Sequence, residues 1–462
     1  MKIRNLIVLS LIGLFIGLIS CRDDFDFDPV NEELTFSNDT LRLDTVFNYS
    51  SSQTYKFAVY NGENKDVLIP KIRLSRGESS LYKLNVDGMP GYEFTDVAVR
   101  KKDSIFIFVE ISAGEAPTNP DYEDEIIFET ANGSQEVKLM AYILKAKFYN
   151  SEQNSDYPLN ESWDNEYARV VYGNLQFDAL TVGPGTRIYF HNEAGLTVNE
   201  KLTVNGSLNN KVVFRTDRMD ERSDSLPNMW GKIHLKNNMD SKIDYAVIKG
   251  GNIGLEVENS TLEISNTRIL NNEKIGLYGK NSTLRGENMV ISNSDLAALA
   301  VEGGDAEFIH SSFSSYFNIG LGSGNAYSLY LGNTNDNGTL IPLTQANFYN
   351  CVFYGRASNA VILDRTDGAA FNYDFKHNII RLDFPDEISG IDNSNVLDKN
   401  PAFINPGFGK NDLRISSESE IPALNIGSSL YAELVPLDIL NQSRIGVSPL
   451  PGAFQQTVNP EE

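Results

Sequence analysis

Two hydrophobic rhythms divide the chain. Over residues 34–147 apolar and polar residues alternate in short runs, among them Tyr55-Lys56-Phe57-Ala58-Val59-Tyr60, Ile105-Phe106-Ile107-Phe108-Val109 and Val137-Lys138-Leu139-Met140-Ala141-Tyr142. Such alternation sends successive side chains to opposite faces, the mark of a half-buried strand. The pairs Asn61-Gly62, Asp87-Gly88 and Asn132-Gly133 separate the runs, and Asn-Gly between two alternating runs is a hairpin signal. About seven strands of this kind predict an antiparallel β-sandwich. The acidic run Asp121-Tyr122-Glu123-Asp124-Glu125 has the oxygens that calcium prefers but not the spacing of a dedicated site, and reads as a solvated loop entering a strand. Calcium is the one cofactor worth naming, and no motif supports it.

The second rhythm is a repeat. Ser260-Thr261-Leu262 leads to Asn266, Ile269 and Asn271, and 22 residues later Ser282-Thr283-Leu284 leads to Asn288, Ile291 and Asn293. The phrase returns at His310 with Phe313, at Asn350 with Phe353 and at His377 with Ile380. Short apolar runs broken by Gly and Asn at this period predict a parallel β-helix, whose coils stack about 4.8 Å apart. Ile269, Ile291, Phe313, Phe353 and Ile380 should form an internal ladder. Asn266, Asn288, His310, Asn350 and His377 should line up at one turn, where side-chain amides bond to each other and to the backbone. This register accounts for His310 and His377 without catalysis. His191 and His234 alternate with apolar neighbours and read as outward strand positions, and Cys351 reads as core filling.

The opening of this region, Val182-Gly183-Pro184-Gly185-Thr186-Arg187-Ile188-Tyr189-Phe190, and its closing phrases Asn400-Pro401-Ala402-Phe403 and Pro451-Gly452-Ala453-Phe454 resemble those of the pectin lyase-like superfamily. The resemblance covers residues 165–456 and implies a right-handed parallel β-helix, with a C-terminal cap over about residues 395–456. The family often closes on Gly-Ala-Tyr-Glu, where this chain has Phe454 and Gln455. The sandwich resembles the immunoglobulin-like domains of bacterial surface lipoproteins, which implies spacing or partner binding. The expected fold class is all-β, an N-terminal β-sandwich followed by the helix.

At the N-terminus Lys2 and Arg4 precede the apolar run Leu6–Ile19, then Ser20 and Cys21. A run of fourteen residues falls short of the roughly 20 that span a bilayer, so residues 1–20 read as a cleaved signal. Leu18-Ile19-Ser20-Cys21 resembles the bacterial lipobox, which implies lipid on Cys21 and membrane attachment through that lipid. Residues 21–33 form an acidic tether: six carboxylates against Arg22 leave a local charge of -5. Such a stretch resembles the surface-export signal of some Gram-negative lipoproteins, which implies an outer-membrane protein, lipid-anchored and surface-exposed.

Charge narrows the function further. Lys plus Arg total 39 against 62 Asp plus Glu, a net -23, and losing Lys2 and Arg4 with the signal takes it to -25. Nucleic acid is excluded as a partner, since phosphate binding needs a basic surface. Two cysteines build neither a disulfide scaffold nor a cysteine-rich metal site. Of 48 asparagines, 38 lie in residues 151–462, so the turn-forming residue is concentrated where the coils are.

The calcium-binding Asp cluster of the superfamily's lyases is absent, as is the paired Asp with Gly-His-Gly of its polygalacturonase-like hydrolases. No residue is therefore assigned as catalytic and none as a metal ligand. The first alternative is the mixed-charge loop Asp217, Arg218, Asp220, Glu221, Arg222 and Asp224 before Trp230, where two carboxylates would act as acid and base on a glycan; a second is Asp364-Arg365-Thr366-Asp367. Trp230 beside the loop, and Tyr316, Phe317, Tyr327 and Tyr330 in an interruption of the repeat over residues 314–345, are candidate glycan contacts. The leading expectation is a non-catalytic envelope protein whose β-helix presents a surface for a glycan or an envelope protein. The alternative is a polysaccharide lyase or glycoside hydrolase acting on a neutral or weakly charged glycan.

Overall fold

The computed structural model describes residues 27–153, 156–237, 240–318, 326–335, 337–383, 390–419, 421 and 425–455. Cys21, the expected signal segment and the first residues of the expected tether lie outside them. The chain divides into two compact units, residues 1–144 and 145–462, and nearly all regular structure in both is strand.

The first unit packs a seven-stranded sheet against a five-stranded one. Inward positions of the alternating runs, among them Val59, Ile69, Ile107, Val109 and Phe128, are wholly buried in one cluster. The sandwich starts earlier than the pattern suggests. Asp28–Pro29 pairs in parallel with Val67–Leu74, Val30 is buried, and the Asn31 and Glu32 amides donate to the Glu63 carboxylate at 2.9 and 3.1 Å. Burial alone would push that carboxyl up, but these donors and Lys65 hold it below its ordinary value. The end of the expected tether is thus sewn in because a buried carboxylate needs donors. The acidic run at 121–125 is likewise no loop: it opens the strand Asp121–Thr130, and buried Asp124 accepts the Ser80 hydroxyl at 2.5 Å.

The second unit is a parallel β-helix with three strand stacks. A first sheet stacks Ile233–Lys236, Ile253–Glu258, the leading halves of Ile275–Glu287 and Ala297–Ile309, then Tyr327–Gly332 and Val361–Asp364. A second stacks Ser241–Asp244, Thr261–Ser265, the trailing halves of the same long strands, then Leu343–Tyr349 and Asp374–Lys376. A third runs through Arg268–Asn272, Val290–Ser294, Ser312–Ser314, Val352–Phe353, Ile379–Ile380 and Val396–Leu397. Coiling begins ahead of residue 165, since Ala146–Asn150 already pairs with Ala168–Tyr172.

Both expected ladders exist. Ile269, Ile291, Phe313, Phe353 and Ile380 are register partners in the third sheet and all wholly buried. Asn266, Asn288, His310, Asn350 and His377 all adopt positive φ, between 48 and 59°, the left-handed turn that Asn tolerates best after Gly. Asn288 donates to Asn266 at 2.9 Å, and Asn350 donates to His310 Nε2 at 2.9 Å. Burial holds the pKa of His310 well below its ordinary value, so it serves as a neutral acceptor.

The C-terminal segment does not cap the end of the helix as expected; it runs back along the outside of the third sheet. Arg268 donates to the Asn411 carbonyl, Asn293 to that of Pro406 and Asn288 to that of Leu437. Asn350 bonds reciprocally with Ser428, and His377 Nδ1 donates to Ile426. Arg444, 1% exposed, donates to Asn288 Oδ1 at 2.8 Å and to the Val435 and Leu437 carbonyls. Leu413, Ile439, Ala453 and Phe454 cover Leu270 and Val290 beneath. Turn amides left over from the coils, and apolar residues facing outward, are what dock the strap.

Candidate functional site

The first sheet carries a different kind of outer face. Its inward residues, such as Leu235, Val257, Leu277, Val301 and Leu331, are wholly buried, and alternation turns the intervening residues outward. Cross-strand register builds two outer rows: His234, Glu256, Tyr278, Ala300, Tyr330 and Ile362, and beside it Lys236, Glu258, Lys280, Glu302, Gly332 and Asp364.

The charges in these rows are matched. Glu256, only 3% exposed, is held between Lys232 and Lys280, the latter at 3.0 Å. Burial would raise its carboxyl, but the two ammonium donors outweigh burial and leave it below its ordinary value. His234 Nε2 lies 3.0 Å from Glu258, while burial pulls the imidazole pKa down. Lys280 also sits 4.4 Å above the Tyr278 ring. Tyr330 donates to Asp364 at 2.6 Å.

Two clefts open on this face. One, of about 520 Å³, is lined by Asn192, Asn228, Asn252, Trp230, Lys232 and Lys274; the other, of about 260 Å³, by Asn259, Asn281, Asn335, Asn337, Lys280 and Glu302. Asparagine amides recur in both walls. Asn228 and Asn252 bond to each other at 2.9 Å, as do Asn259 and Asn281 at 2.8 Å, and each amide keeps further donor and acceptor capacity. Such walls suit a ligand made of hydroxyl groups.

The residues proposed from sequence fare unevenly. Tyr327 and Tyr330 do lie outward here, packed against Ile275, Tyr278, Ala297 and Ala300. They belong to the coil strand Tyr327–Gly332 rather than to a loop. Phe317 is buried edge-on to Phe408 at 5.8 Å, and Tyr316 is partly buried against the cluster around Val352, Tyr354 and Ile379. Trp230 is 1% exposed, stacked on Phe190 at 4.4 Å, with its indole N–H given to the Lys249 carbonyl. Phe317 and Tyr316 fill packing under the strap, whereas Trp230 lies in the wall of the larger cleft with one ring face taken by Phe190.

The acidic loop scatters as well. Asp217 accepts from His191 Nδ1 at 2.8 Å, and burial raises its carboxyl above the ordinary value. Asp220 binds the Ser223 hydroxyl at 2.6 Å, Asp224 pairs with Arg215 and Lys249, and Glu221 is exposed. Asp217, Asp220 and Asp224 are thus each engaged by a different partner. In the second run, Arg365 pairs with Asp367 and Asp364 serves Tyr330. Cys351 is buried, with its thiol pushed up to about 12 by burial, and is not nucleophilic. Among the described residues no three His, Cys, Asp or Glu side chains gather as a metal site. The Lys232, Glu256 and Lys280 triad was not singled out from sequence; its members recur at intervals of 24 residues, a signal readable only once the coil register is known.

No protein-family model matches the sequence. No curated protein matches it either. Among solved structures, the chain is similar to a family 123 glycoside hydrolase from Clostridium perfringens, with 8% identity, 29% of this chain and 30% of that chain covered, and a TM-score of 0.20. It is similar to the secreted serine protease VesC from Vibrio cholerae, with 16% identity, 25% and 24% covered, and a TM-score of 0.18. It is also similar to a family 28 exopolygalacturonase from Yersinia enterocolitica, with 10% identity, 76% and 85% covered, and a TM-score of 0.20. The chain spans less than a third of the first two proteins, and none of these likenesses assigns it a function.

Proposed function

We propose that this chain is a non-catalytic, lipid-anchored protein of the bacterial outer membrane, surface-exposed, whose β-helix binds glycan on the outer face of its first sheet. The observation that carries the reading is the pairing of asparagine-lined clefts with charges neutralised in place: Glu256 between Lys232 and Lys280, His234 with Glu258. A carboxylate held below its ordinary pKa by two ammonium groups is a poor general acid, whereas amides with spare capacity recognise hydroxyls. The anchor rests on the lipobox-like Leu18-Ile19-Ser20-Cys21. The N-terminal sandwich is immunoglobulin-like in this reading and spaces the helix from the membrane.

The test is an array of neutral glycans probed with the full chain, followed by product analysis of whatever is retained. Retention of uncut glycan, weakened about tenfold when Asn228→Ala and Asn252→Ala are combined, is the expected result; tenfold corresponds to about 1.4 kcal/mol, the order of one lost hydrogen bond. Shortened products would establish the hydrolase or lyase instead, and an array with no retained glycan would overturn the binding role. Labelled palmitate that enters the wild type but not Cys21→Ser checks the anchor.

A further inference from the structure

The sandwich exposes something its fold does not require. A sheet in a two-layer sandwich buries one face and solvates the other, yet the five-stranded sheet turns aromatic rings to the solvent. Phe106 is 49% exposed, Phe108 39% and Tyr60 42%. Phe106 and Phe108 stand two residues apart on Ser104–Ile111, about 7 Å along the strand. Across from them, Phe106 faces Ala58, Phe108 faces Lys56 on one side and Asn85 on the other, and Ser104 faces Tyr60. Ala58 is too small to shield the Phe106 ring, and Tyr60 continues the strip diagonally.

Cations flank the strip. Lys56 Nζ lies 4.8 Å above the Phe106 ring, and Lys83 stands opposite Glu110 in the register. Among the described residues neither lysine comes within ion-pairing distance of a carboxylate. A cleft of about 590 Å³ lies on the same face, lined by Phe108, Lys83, Asn85, Thr54, Tyr92 and Glu110.

We infer that this face is a binding site for a short acidic glycan, one carrying uronate or sulfate groups. The C–H-rich face of a pyranose packs on an aromatic ring because polarised C–H groups meet the negative π face; the unpaired ammonium groups take the acidic substituents, and Asn85 and Thr54 the hydroxyls. The cleft falls within the roughly 300–1,000 Å³ of small-ligand sites, and the strip is narrow beside the roughly 800 Å² a side of a stable protein interface. A net -23 on the chain does not forbid it, since exposed charges are screened beyond about 8–10 Å at physiological ionic strength.

The site lies in the first unit and is independent of the β-helix reading, so each is tested by its own variants. Oligomers of polygalacturonate, alginate and chondroitin sulfate are titrated calorimetrically into the full chain, with dextran as the uncharged comparator. At least one acidic glycan should bind through this face, and the Phe106 and Phe108 substitutions should leave dextran titrations unaltered. Phe106→Ala with Phe108→Ala should weaken binding at least about tenfold, and Lys56→Gln with Lys83→Gln about three- to tenfold with a flatter salt dependence. All four side chains sit on the solvent face, so the thermal midpoint checks that the fold survives. Failure of all three acidic glycans, or affinity for them indifferent to the aromatic pair or to the lysine pair, overturns the proposal.

Discussion

The first and third sheets of the β-helix are built from the same coils, yet they end differently. On the third, outward residues such as Leu270 and Val290 are apolar and are roofed by the chain's own C-terminal segment. On the first, the outward rows hold Glu256, Glu258, Lys280 and His234, paired with one another, and amide-lined clefts remain open. A coil repeat therefore dictates its interior but leaves each outer face free to be covered or used. What decides is whether the outward side chains satisfy one another or wait for a partner.

The comparison breaks most decisively at Arg444. Its buried guanidinium is shared by Asn288 of the coil turn and the Val435 and Leu437 carbonyls of the strap. Arg444→Ala orphans those acceptors and opens a cavity, and should cost about 3–5 kcal/mol. Hydrogen exchange should rise first in residues 425–455, with first-sheet amides keeping their protection. If first-sheet amides exchange equally fast, the two faces are one cooperative unit and the contrast fails.

A smaller effect is expected on the open face. Glu256→Gln leaves Lys232 and Lys280 without their shared anion and should destabilise by about 1–3 kcal/mol in chemical denaturation. Because the Glu256 carboxyl sits below its ordinary value, its contribution is complete above the ordinary carboxylate pKa. It disappears as pH falls through the native one. The gap between wild type and Glu256→Gln should therefore close on acidification, and a gap that persists in acid would remove the charge explanation.

How much of this was readable beforehand follows from how local each feature is. The Asn266 and Asn288 turns and the Ile269 and Ile291 ladder stand out because each coil solves the same local problem with the same residues. Glycine carries the signal too: Gly254 and Gly276, 22 residues apart, face the interior, where a Cβ would come within 2.5 Å of Ile269 or 2.4 Å of Ile291. The strap is invisible in any such window, since Arg444 reaches Asn288 across 156 residues. Tyr327–Gly332 hid because its Leu329 and Leu331 alternation is short and flanked by Gly, Ser and Asn. Trp230 invited a sugar-binding reading because aromatic identity does not tell whether Phe190 already stacks on it.

The finest test of the contrast sets two asparagines from the two faces side by side. Asn281, at φ 48°, turns the chain between the first and second sheets, and among the described residues its side chain donates to Asn259 of the coil before. Asn288, at φ 53°, turns it between the second and third, and binds Asn266, the Leu437 carbonyl and Arg444. Alanine at 281 carries the left-handed penalty of about 1–2 kcal/mol. Glycine there avoids it, leaving a loss of about 0.5–1 kcal/mol for the hydrogen bond and the added chain freedom. At 288 relief of the turn is not enough, because the amide itself holds the strap, so Asn288→Gly should remain nearly as damaging as Asn288→Ala. Equal rescue by glycine at both positions in thermal unfolding would mean that Asn288 serves only the turn and that the strap is held elsewhere.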